Sequence, residues 1–327
     1  MNIQIQFAGV KPQKTNTLFK KVIFSLIAII IIVNSIGLYF GNILLKKAAI
    51  VSEGKAANQY NKYKLTFNEK KFERLTKRDI TLTSDHGYSL TGTYILCNGD
   101  SRNTVILVHD INGSRWSVMK YADMYLTKGF NVLIYDARGH GESGGSNSTL
   151  GYFEKDDLNS WVEYINSRNK YGIIGVHGEG LGAFTALLHS QMNKENKRVR
   201  FYVLDSSFTD VQAYLTLKTN KELDIKNPLL VKPLTFYANM VNLCKSRFIL
   251  SKVSALNSIK DVSTPMLFIH GKSDPDIPAS MTEALFKAKK DNKQLYITNT
   301  EAHGHSYSDN VEEYKKKVTA FIDSILK

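Results

Sequence analysis

Apolar residues follow three different patterns along this 327-residue chain. A charge-free run, VIFSLIAIIIIVNSIGLYFGNILL, extends from Val22 to Leu45. Residues 46–75 are mostly polar, and from Arg78 onwards short apolar runs alternate with segments whose apolar positions recur at helical spacing. The pattern predicts a membrane-spanning helix, a partly helical polar stalk and a folded domain over residues 76–327.

The run at residues 22–45 is long enough to cross a hydrocarbon core of about 30 Å as a helix. The apolar region of a signal peptide is shorter, about 7–15 residues, and small residues follow it. Lysines follow this run directly, and four lysines precede it while three follow closely. We therefore predict a single-pass, uncleaved signal anchor in the cell membrane, with residues 1–21 as a cytoplasmic tail and the folded domain outside the cytoplasm.

In the folded domain, the apolar runs have the length and composition of buried strands. They include NTVILVHD (103–110), FNVLIYD (130–136), YGIIGVHG (171–178), VRFYVLD (199–205) and TPMLFIHG (264–271). Strands that alternate with helices predict an α/β fold with a mostly parallel, doubly wound sheet. Residues 208–258 break the alternation and predict a helical cap over the carboxyl ends of the strands, where such sheets carry their functional groups.

The formal net charge of +13 does not by itself indicate a nucleic-acid partner. Residues 1–55 carry seven lysines against one glutamate, a net +6, which leaves +7 scattered over the other residues without a basic stripe. Such a lysine-rich surface also favours a position beside anionic lipid. Because the two cysteines lie far apart and no phosphate loop or dinucleotide motif occurs, we predict neither a metal site nor a cofactor.

The segment IIGVHGEGLGAFTALL (173–188) predicts a strand, a sharp glycine turn and the start of a helix. This is the arrangement of a nucleophile elbow, G-x-S-x-G, whose central residue supplies the attacking atom. The central residue here is Gly180, which has no side-chain oxygen. Glycine adopts a strained turn without steric cost, so we expect the local fold to be retained.

Three longer segments carry a resemblance to a known family. They are VILVHDINGSRWSVMKYADMYLTKGFNVLIYDARGHGESGG (105–145), TLGYFEKDDLNSWVEYI (149–165) and PMLFIHGKSDPDIP (265–278). In order and spacing they resemble the α/β-hydrolase superfamily over almost all of residues 75–327. Within it the chain is similar to bacterial membrane-anchored or secreted hydrolases, esterases and peptidase-like proteins of the S9 and S33 type. The resemblance implies an α/β-hydrolase fold with a helical cap.

The resemblance also implies a catalytic role for two residues that follow the elbow. Asp274 matches the triad acid, which orients the histidine and stabilises its charged form, and Asp276 is a nearby alternative. His303 matches the triad histidine, which serves as general base and then as general acid, and His305 is the second candidate.

By the same resemblance, the backbone N–H groups of Ile111 and Leu181 match the oxyanion hole. The family carries H-G-x at the first of these loops, whereas this chain has HDI, with Asp110 in place of the glycine. A carboxylate opposes a developing oxyanion unless it is turned away or neutralised. Asp110 is therefore a second departure from the catalytic pattern, beside Gly180.

Two hypotheses of function follow. The first is a membrane-anchored hydrolase of acyl esters or amides whose serine-based activity is absent or strongly impaired, since none of Glu179, Ser206, Ser207 or His177 is expected to replace the missing nucleophile. The second is a pseudoenzyme that binds a small lipid, acyl or peptide ligand at the membrane surface. Asp110 favours the second hypothesis, and the presence of Asp274 and His303 favours the first.

Overall fold

The computed structural model describes residues 17–49 and 56–327. The predicted cytoplasmic tail up to residue 16 and the part of the predicted stalk at residues 50–55 lie outside the described residues. The two cysteines do not pair: Cys97 is buried and Cys244 is exposed.

The centre of the molecule is an eight-stranded sheet. Its strands are β1 (Lys77–Thr83), β2 (Ser89–Ile95), β3 (Thr104–Val108), β4 (Asn131–Tyr135), β5 (Ile174–Glu179), β6 (Val199–Asp205), β7 (Met266–Gly271) and β8 (Lys293–Thr298). The strand order is β1-β2-β4-β3-β5-β6-β7-β8, with β2 antiparallel to both of its neighbours and every other pairing parallel. The predicted fold class, a mostly parallel sheet of the α/β-hydrolase type, is confirmed.

Helices cover both faces of the sheet. They are α4 (Ala122–Thr127), α5 (Glu154–Arg168), α6 (Leu181–Asn196), α10 (Ala279–Ala288) and α11 (Val311–Leu326). Residues of α5 and α6, among them Trp161 and Phe184, belong to one apolar core, and residues of α4 and α11, among them Tyr125 and Phe321, belong to the other. Because β3, β4 and β5 lie between these layers, every one of their residues is buried.

The predicted helical insertion is also present. After β6 the chain forms α7 (Val211–Glu222), α8 (Pro228–Ser246) and the short α9 (Ala255–Ser258) before it returns to the sheet at β7. Asp210 caps α7 by accepting the N–H of Ala213 at 2.8 Å, and Asn227 caps α8 by accepting the N–H of Leu229 at 3.0 Å. These caps set where the insertion's two long helices begin.

The apolar run near the N-terminus lies within one helix, α1 (Thr17–Ala49), whose most hydrophobic 18-residue window has a mean hydropathy of 2.5 and no buried residue. The C-terminal part of α1 packs against α8, and a Cβ atom on Gly37 or Gly41 would lie less than 3.0 Å from atoms of Tyr237. The tyrosine hydroxyl also donates to the Asn34 side chain at 3.2 Å. The apolar helix is thus attached to the cap along part of its length.

Two short helices, α2 (Ala56–Tyr63) and α3 (Glu69–Arg74), lie in the segment where a polar stalk was predicted. Phe72 of α3 is buried, and its ring makes an edge-to-face contact with Trp116 at 5.8 Å between centroids. The described residues just before β1 therefore pack against the folded domain.

Candidate active site

The elbow lies between β5 and α6, at the carboxyl end of a central strand. Gly180 has φ 56° and ψ −117°, a backbone conformation that glycine reaches without the steric cost other residues bear. Its N–H donates to the carbonyl of Asp205 at 2.8 Å, and its own carbonyl accepts the N–H of Phe184 at 3.1 Å. A Cβ atom on Gly182 would lie less than 3.0 Å from the carbonyl of Val108, so the turn also depends on a glycine there. The backbone shape of an elbow is present without its nucleophile.

Asp274 and His303 lie together in front of this turn. The imidazole Nδ1 of His303 is 2.6 Å from Oδ2 of Asp274, and the other carboxylate oxygen of Asp274 accepts the backbone N–H groups of Asp276 at 2.8 Å and Ile277 at 3.0 Å. The loop after β7 therefore fixes the carboxylate, and the carboxylate orients the ring.

The alternative candidates have other partners. The Asp276 side chain forms an ion pair with Lys221 of α7, and His305 lies 3.5 Å from Asp309 in a half-exposed pair. Of the two histidines, only His303 is held by Asp274.

The Asp110 carboxylate occupies the space that a side chain at position 180 would need. A Cβ atom built on Gly180 would lie less than 3.0 Å from two atoms of the Asp110 carboxylate, Oδ1 and Cγ, closer than real Cβ atoms approach other groups. Oδ1 of Asp110 accepts the N–H of Leu181 at 2.7 Å, and Oδ2 lies 3.7 Å from Nε2 of His303. The Asp110 carboxylate thus fills the space of the missing nucleophile. It also accepts a hydrogen bond from the N–H of Leu181, one of the two predicted oxyanion-hole donors.

The electrostatics of this group follow from its geometry. Burial alone raises the pKa of Asp110, but contact with His303 and backbone N–H groups, those of Leu181 and Ile111 among them, outweighs burial and lowers that pKa to about 2. Burial likewise disfavours the charged form of His303, yet Asp110 and Asp274 raise its pKa well above the ordinary value. The two carboxylates therefore favour the charged form of the ring over the neutral form, which is the one that a general base needs to accept a proton.

Sequence reasoning did not identify a partly buried ion pair beside the elbow, formed by Lys120 and Glu179. Lys120 donates to Oε1 of Glu179 at 3.0 Å, and the hydroxyl of Tyr121 donates to Oε2 at 3.1 Å. Lys120 also donates to the carbonyl of Gly304, next to His303, at 3.1 Å. The pair therefore links the elbow to the histidine loop. Lys120 is distant in sequence from both elements, and no local pattern marks it.

Two other residues considered as nucleophiles, His177 and Ser206, have hydrogen-bond partners in the core. His177 lies between the hydroxyls of Tyr125 and Tyr314, each 3.0 Å from a ring nitrogen, and burial lowers its pKa to about 3. The Ser206 hydroxyl is fully buried and donates to Asp205 at 2.9 Å. Both residues are held within the hydrogen-bonded interior of the sheet.

Two depressions meet at Asp110 and His303. A cavity of about 620 Å³ opens on the side of the histidine loop and is bordered by polar residues such as Asn112 and Lys120. A narrower one of about 30 Å³ lies beneath α7, where Phe208, Tyr214 and Leu217 line it together with charged residues of both signs, Lys218, Lys221, Asp110 and Asp276. The cap therefore gives the site one polar approach and one narrow approach that combines apolar walls with charges of both signs.

The sheet order, the cap and the elbow are those of the α/β hydrolases, and this chain belongs to that superfamily. The family described as serine aminopeptidase, S33, matches residues 99–235.

Individual relatives extend the likeness to nearly the whole chain. The protein YqkD of Bacillus subtilis (strain 168) is 33% identical over 307 residues, which cover 94% of this chain and 98% of YqkD. YfhR of Escherichia coli (strain K12) is 26% identical over 76% of this chain and 81% of its own. Among solved structures, the esterase Pf2001 of Pyrococcus furiosus matches with a TM-score of 0.64 at 25% identity, covering 80% of this chain and 96% of the esterase.

Proposed function

We propose that this chain is a membrane-anchored α/β-hydrolase-fold protein that has no serine-based hydrolytic activity and uses the pocket beneath its cap to bind an acyl or lipid ligand. The observation that carries the proposal is the position of the Asp110 carboxylate, in the space of the missing side chain at Gly180. The superfamily chemistry is esterase-like, and this chain keeps the fold of that superfamily without a serine at the elbow.

Three requirements of acyl transfer are affected at once. Position 180 has no oxygen to attack a carbonyl carbon. The N–H of Leu181, which would stabilise an oxyanion, already donates to Asp110 at 2.7 Å. Asp110 and Asp274 raise the pKa of His303 well above its ordinary value, which disfavours the neutral ring that a general base needs. These features support a ligand-binding role over an impaired serine hydrolase, which is the alternative.

The ligand class is inferred from the depression beneath α7. Phe208, Tyr214 and Leu217 give it apolar walls, and Lys218 and Lys221 lie beside them. An acyl chain matches the apolar walls, and the adjoining cavity of about 620 Å³ supplies the room for the rest of the ligand. The charge of the ligand is left open, because Lys221 pairs with Asp276 and the Asp110 carboxylate borders the same depression. A peptide is the alternative ligand for the same pocket.

Membrane attachment is supported by α1. This helix has an 18-residue window of mean hydropathy 2.5 with no buried residue, so the folded domain leaves the apolar surface of that window exposed. A bilayer would cover that surface, and the lysines on either side of the run favour a domain outside the cytoplasm.

Fluorophosphonate labelling of four full-length proteins tests the loss of serine chemistry: the unchanged chain, Gly180→Ser, Gly180→Ser with Asp110→Gly, and that double variant with His303→Gln. Because a Cβ at position 180 meets the Asp110 carboxylate, we expect the serine alone to be unreactive. Removing that carboxylate also frees the N–H of Leu181, so we expect only the Gly180→Ser, Asp110→Gly protein to label and to hydrolyse short acyl esters. Circular dichroism and melting curves verify that each variant is folded.

Several results would contradict the proposal. Labelling of Gly180→Ser alone would show that Asp110 moves aside and does not block the site. Ester turnover by the unchanged chain that is lost in Asp110→Asn would show that the carboxylate itself performs catalysis.

A second experiment tests the binding role. A photoreactive fatty acid should label the unchanged chain, and Leu217→Trp should reduce that labelling by filling the depression. Equal labelling of both proteins would argue against this ligand site.

A further inference from the structure

A basic cleft lies where the end of α1 meets the end of α8 and the loop after β4. Its volume is about 430 Å³, and its basic side chains are Lys46 of α1, Arg138 of the loop, and Lys245 and Arg247 at the end of α8. Within residues 17–49 and 56–327, no aspartate or glutamate lines it. Four cations around one cleft provide a strongly positive environment for a bound group.

Two of these cations are held in place by neutral partners. Lys245 donates to the side-chain oxygen of Asn42 at 2.7 Å, and Nε of Arg138 donates to the carbonyl of Asn147 at 2.9 Å. The guanidinium of Arg138 also lies over the ring of Tyr88 at 4.5 Å. None of these three contacts cancels the positive charge, so Lys245 and Arg138 keep their attraction for an anion while their positions are fixed.

Stabilisation of the helix ends explains only part of this arrangement. Lysines in the last turn of a helix interact favourably with its dipole, which accounts for Lys46 on α1 and Lys245 on α8. Arg138 belongs to neither helix and reaches the cleft from the loop after β4. Its convergence with the helix ends indicates a site for an anion.

The position of the cleft indicates where the anion comes from. Lys46 is the first charged residue after the apolar run 22–45, and Leu45 itself lines the cleft. Asn34 of α1 contacts Tyr237 of α8, and Asn42 contacts Lys245, so the two helices run in the same direction.

The exposed side of α8 changes character along this direction. Its first half exposes Leu229, Leu230 and Phe236, at 81%, 58% and 58%, on the same end as the apolar part of α1. One cation, Lys232, is exposed among them, and its long side chain can extend towards the membrane surface. Its last turn carries Lys245, and Arg247 follows directly. Apolar residues followed by cations along one helix match the passage from acyl chains to phosphates at the edge of a bilayer.

We propose that this cleft binds the phosphate headgroup of an anionic phospholipid from the leaflet that α1 enters. The inference rests on the membrane anchor in the proposed function and does not depend on the chemistry at Asp110. The bound lipid would bridge α1 and the cap by contacting Lys46 on one side and Lys245, Arg247 and Arg138 on the other. The cleft is thus a lipid site separate from the depression beneath α7.

The test uses the full chain in nanodiscs that contain phosphatidylcholine with increasing amounts of phosphatidylglycerol. Native mass spectrometry measures how many phosphatidylglycerol molecules stay bound as the protein is released. The test variant is Lys245→Gln with Arg247→Gln, and the matched control is Lys287→Gln with Lys316→Gln, which removes the same charge from exposed residues of α10 and α11. Since a well-placed cation beside anionic lipid contributes about fivefold in affinity, we expect roughly 25-fold weaker retention in the test variant and little change in the control.

Separate readouts distinguish the possible failures. Resistance of the chain to extraction from membranes by alkaline carbonate tests the anchor, and extraction of the unchanged chain would refute the membrane part of the proposed function. A resistant chain that retains phosphatidylglycerol no better than phosphatidylcholine would refute the lipid site alone. Equal losses in the test and control variants would assign retention to net charge and also refute it. Soluble glycerol phosphate that is retained by the unchanged chain as strongly as phosphatidylglycerol would identify a free phosphate ligand. That result would overturn the lipid assignment.

Discussion

Replacement of Asp110 by asparagine removes one charge from the cluster of Asp110, His303 and Asp274 while it preserves the shape of the side chain. An amide oxygen can still accept the N–H of Leu181, which donates to Asp110 at 2.7 Å. What is lost is the attraction between the carboxylate and the imidazolium of His303, whose Nε2 lies 3.7 Å away. The substitution therefore isolates the electrostatic part of the interaction.

The magnitude follows from the pKa of Asp110. Folding lowers that pKa from 3.8 to about 2, and a shift of this size corresponds to about 2 kcal/mol in favour of the ionised, folded protein. Because the folded pKa is the lower one, this contribution is complete above pH 3.8 and disappears as the pH falls through 2. We therefore expect Asp110→Asn to lower the free energy of unfolding by about 2 kcal/mol at pH 7, and by progressively less below pH 4.

Urea denaturation of the full chain in detergent, followed by tryptophan fluorescence at several pH values, measures the effect. The matched control is Asp309→Asn, because Asp309 lies 3.5 Å from His305 in a half-exposed pair, and such pairs contribute little. An Asp110→Asn protein as stable as the unchanged chain at pH 7 would refute the reasoning. It would mean that the burial cost of the carboxylate cancels its attraction to His303.

Three further predictions concern the site, the loops and the anchor. NMR of labelled histidine should show His303 protonated throughout pH 6–8, since Asp110 and Asp274 raise its pKa, and a ring that titrates near 6.5 would contradict the ion cluster. Glu154→Ala should lower the free energy of unfolding by roughly 2–4 kcal/mol, because it leaves the N–H groups of Thr149 and Gly151 without their acceptor. Urea denaturation measures this loss, and a loss under about 1 kcal/mol would contradict the prediction. Gly41→Leu should lower the melting temperature and expose α8 to protease, because the new Cβ would meet backbone atoms of Tyr237 and Ala238. The control Ile29→Leu, on the exposed side of α1, should change neither the melting temperature nor the proteolysis of α8.

The fold could be predicted from the sequence because its strands are long, apolar and regularly spaced. β3, β4 and β5 are buried on both faces and show as continuous apolar runs. The insertion was visible because α7 and α8 interrupt the alternation of strand and helix. The elbow was visible because its glycines permit close packing and a positive φ at one short turn.

The arrangement of the candidate site was only partly predictable. That Asp274 and His303 lie at strand ends follows from their positions after β7 and β8. The placement of Asp110 does not, because its side chain meets Gly180 across two loops 70 residues apart. The substitutions at positions 110 and 180 appear in the sequence as two separate departures. In the structure the two departures depend on each other, because the Asp110 carboxylate occupies the space that a side chain at position 180 would need.

The attachment of α8 to α1 has a mechanical consequence. In many enzymes a cap moves as a lid to admit ligands. Here Gly37 and Gly41 bring α1 into close contact with Tyr237, so the cap cannot lift alone without separating this helix pair. With α1 anchored as proposed, outward movement of the cap would have to tilt the anchor within the lipid. Because helix tilt responds to bilayer thickness, the thickness of the surrounding membrane would then control how readily the pocket opens.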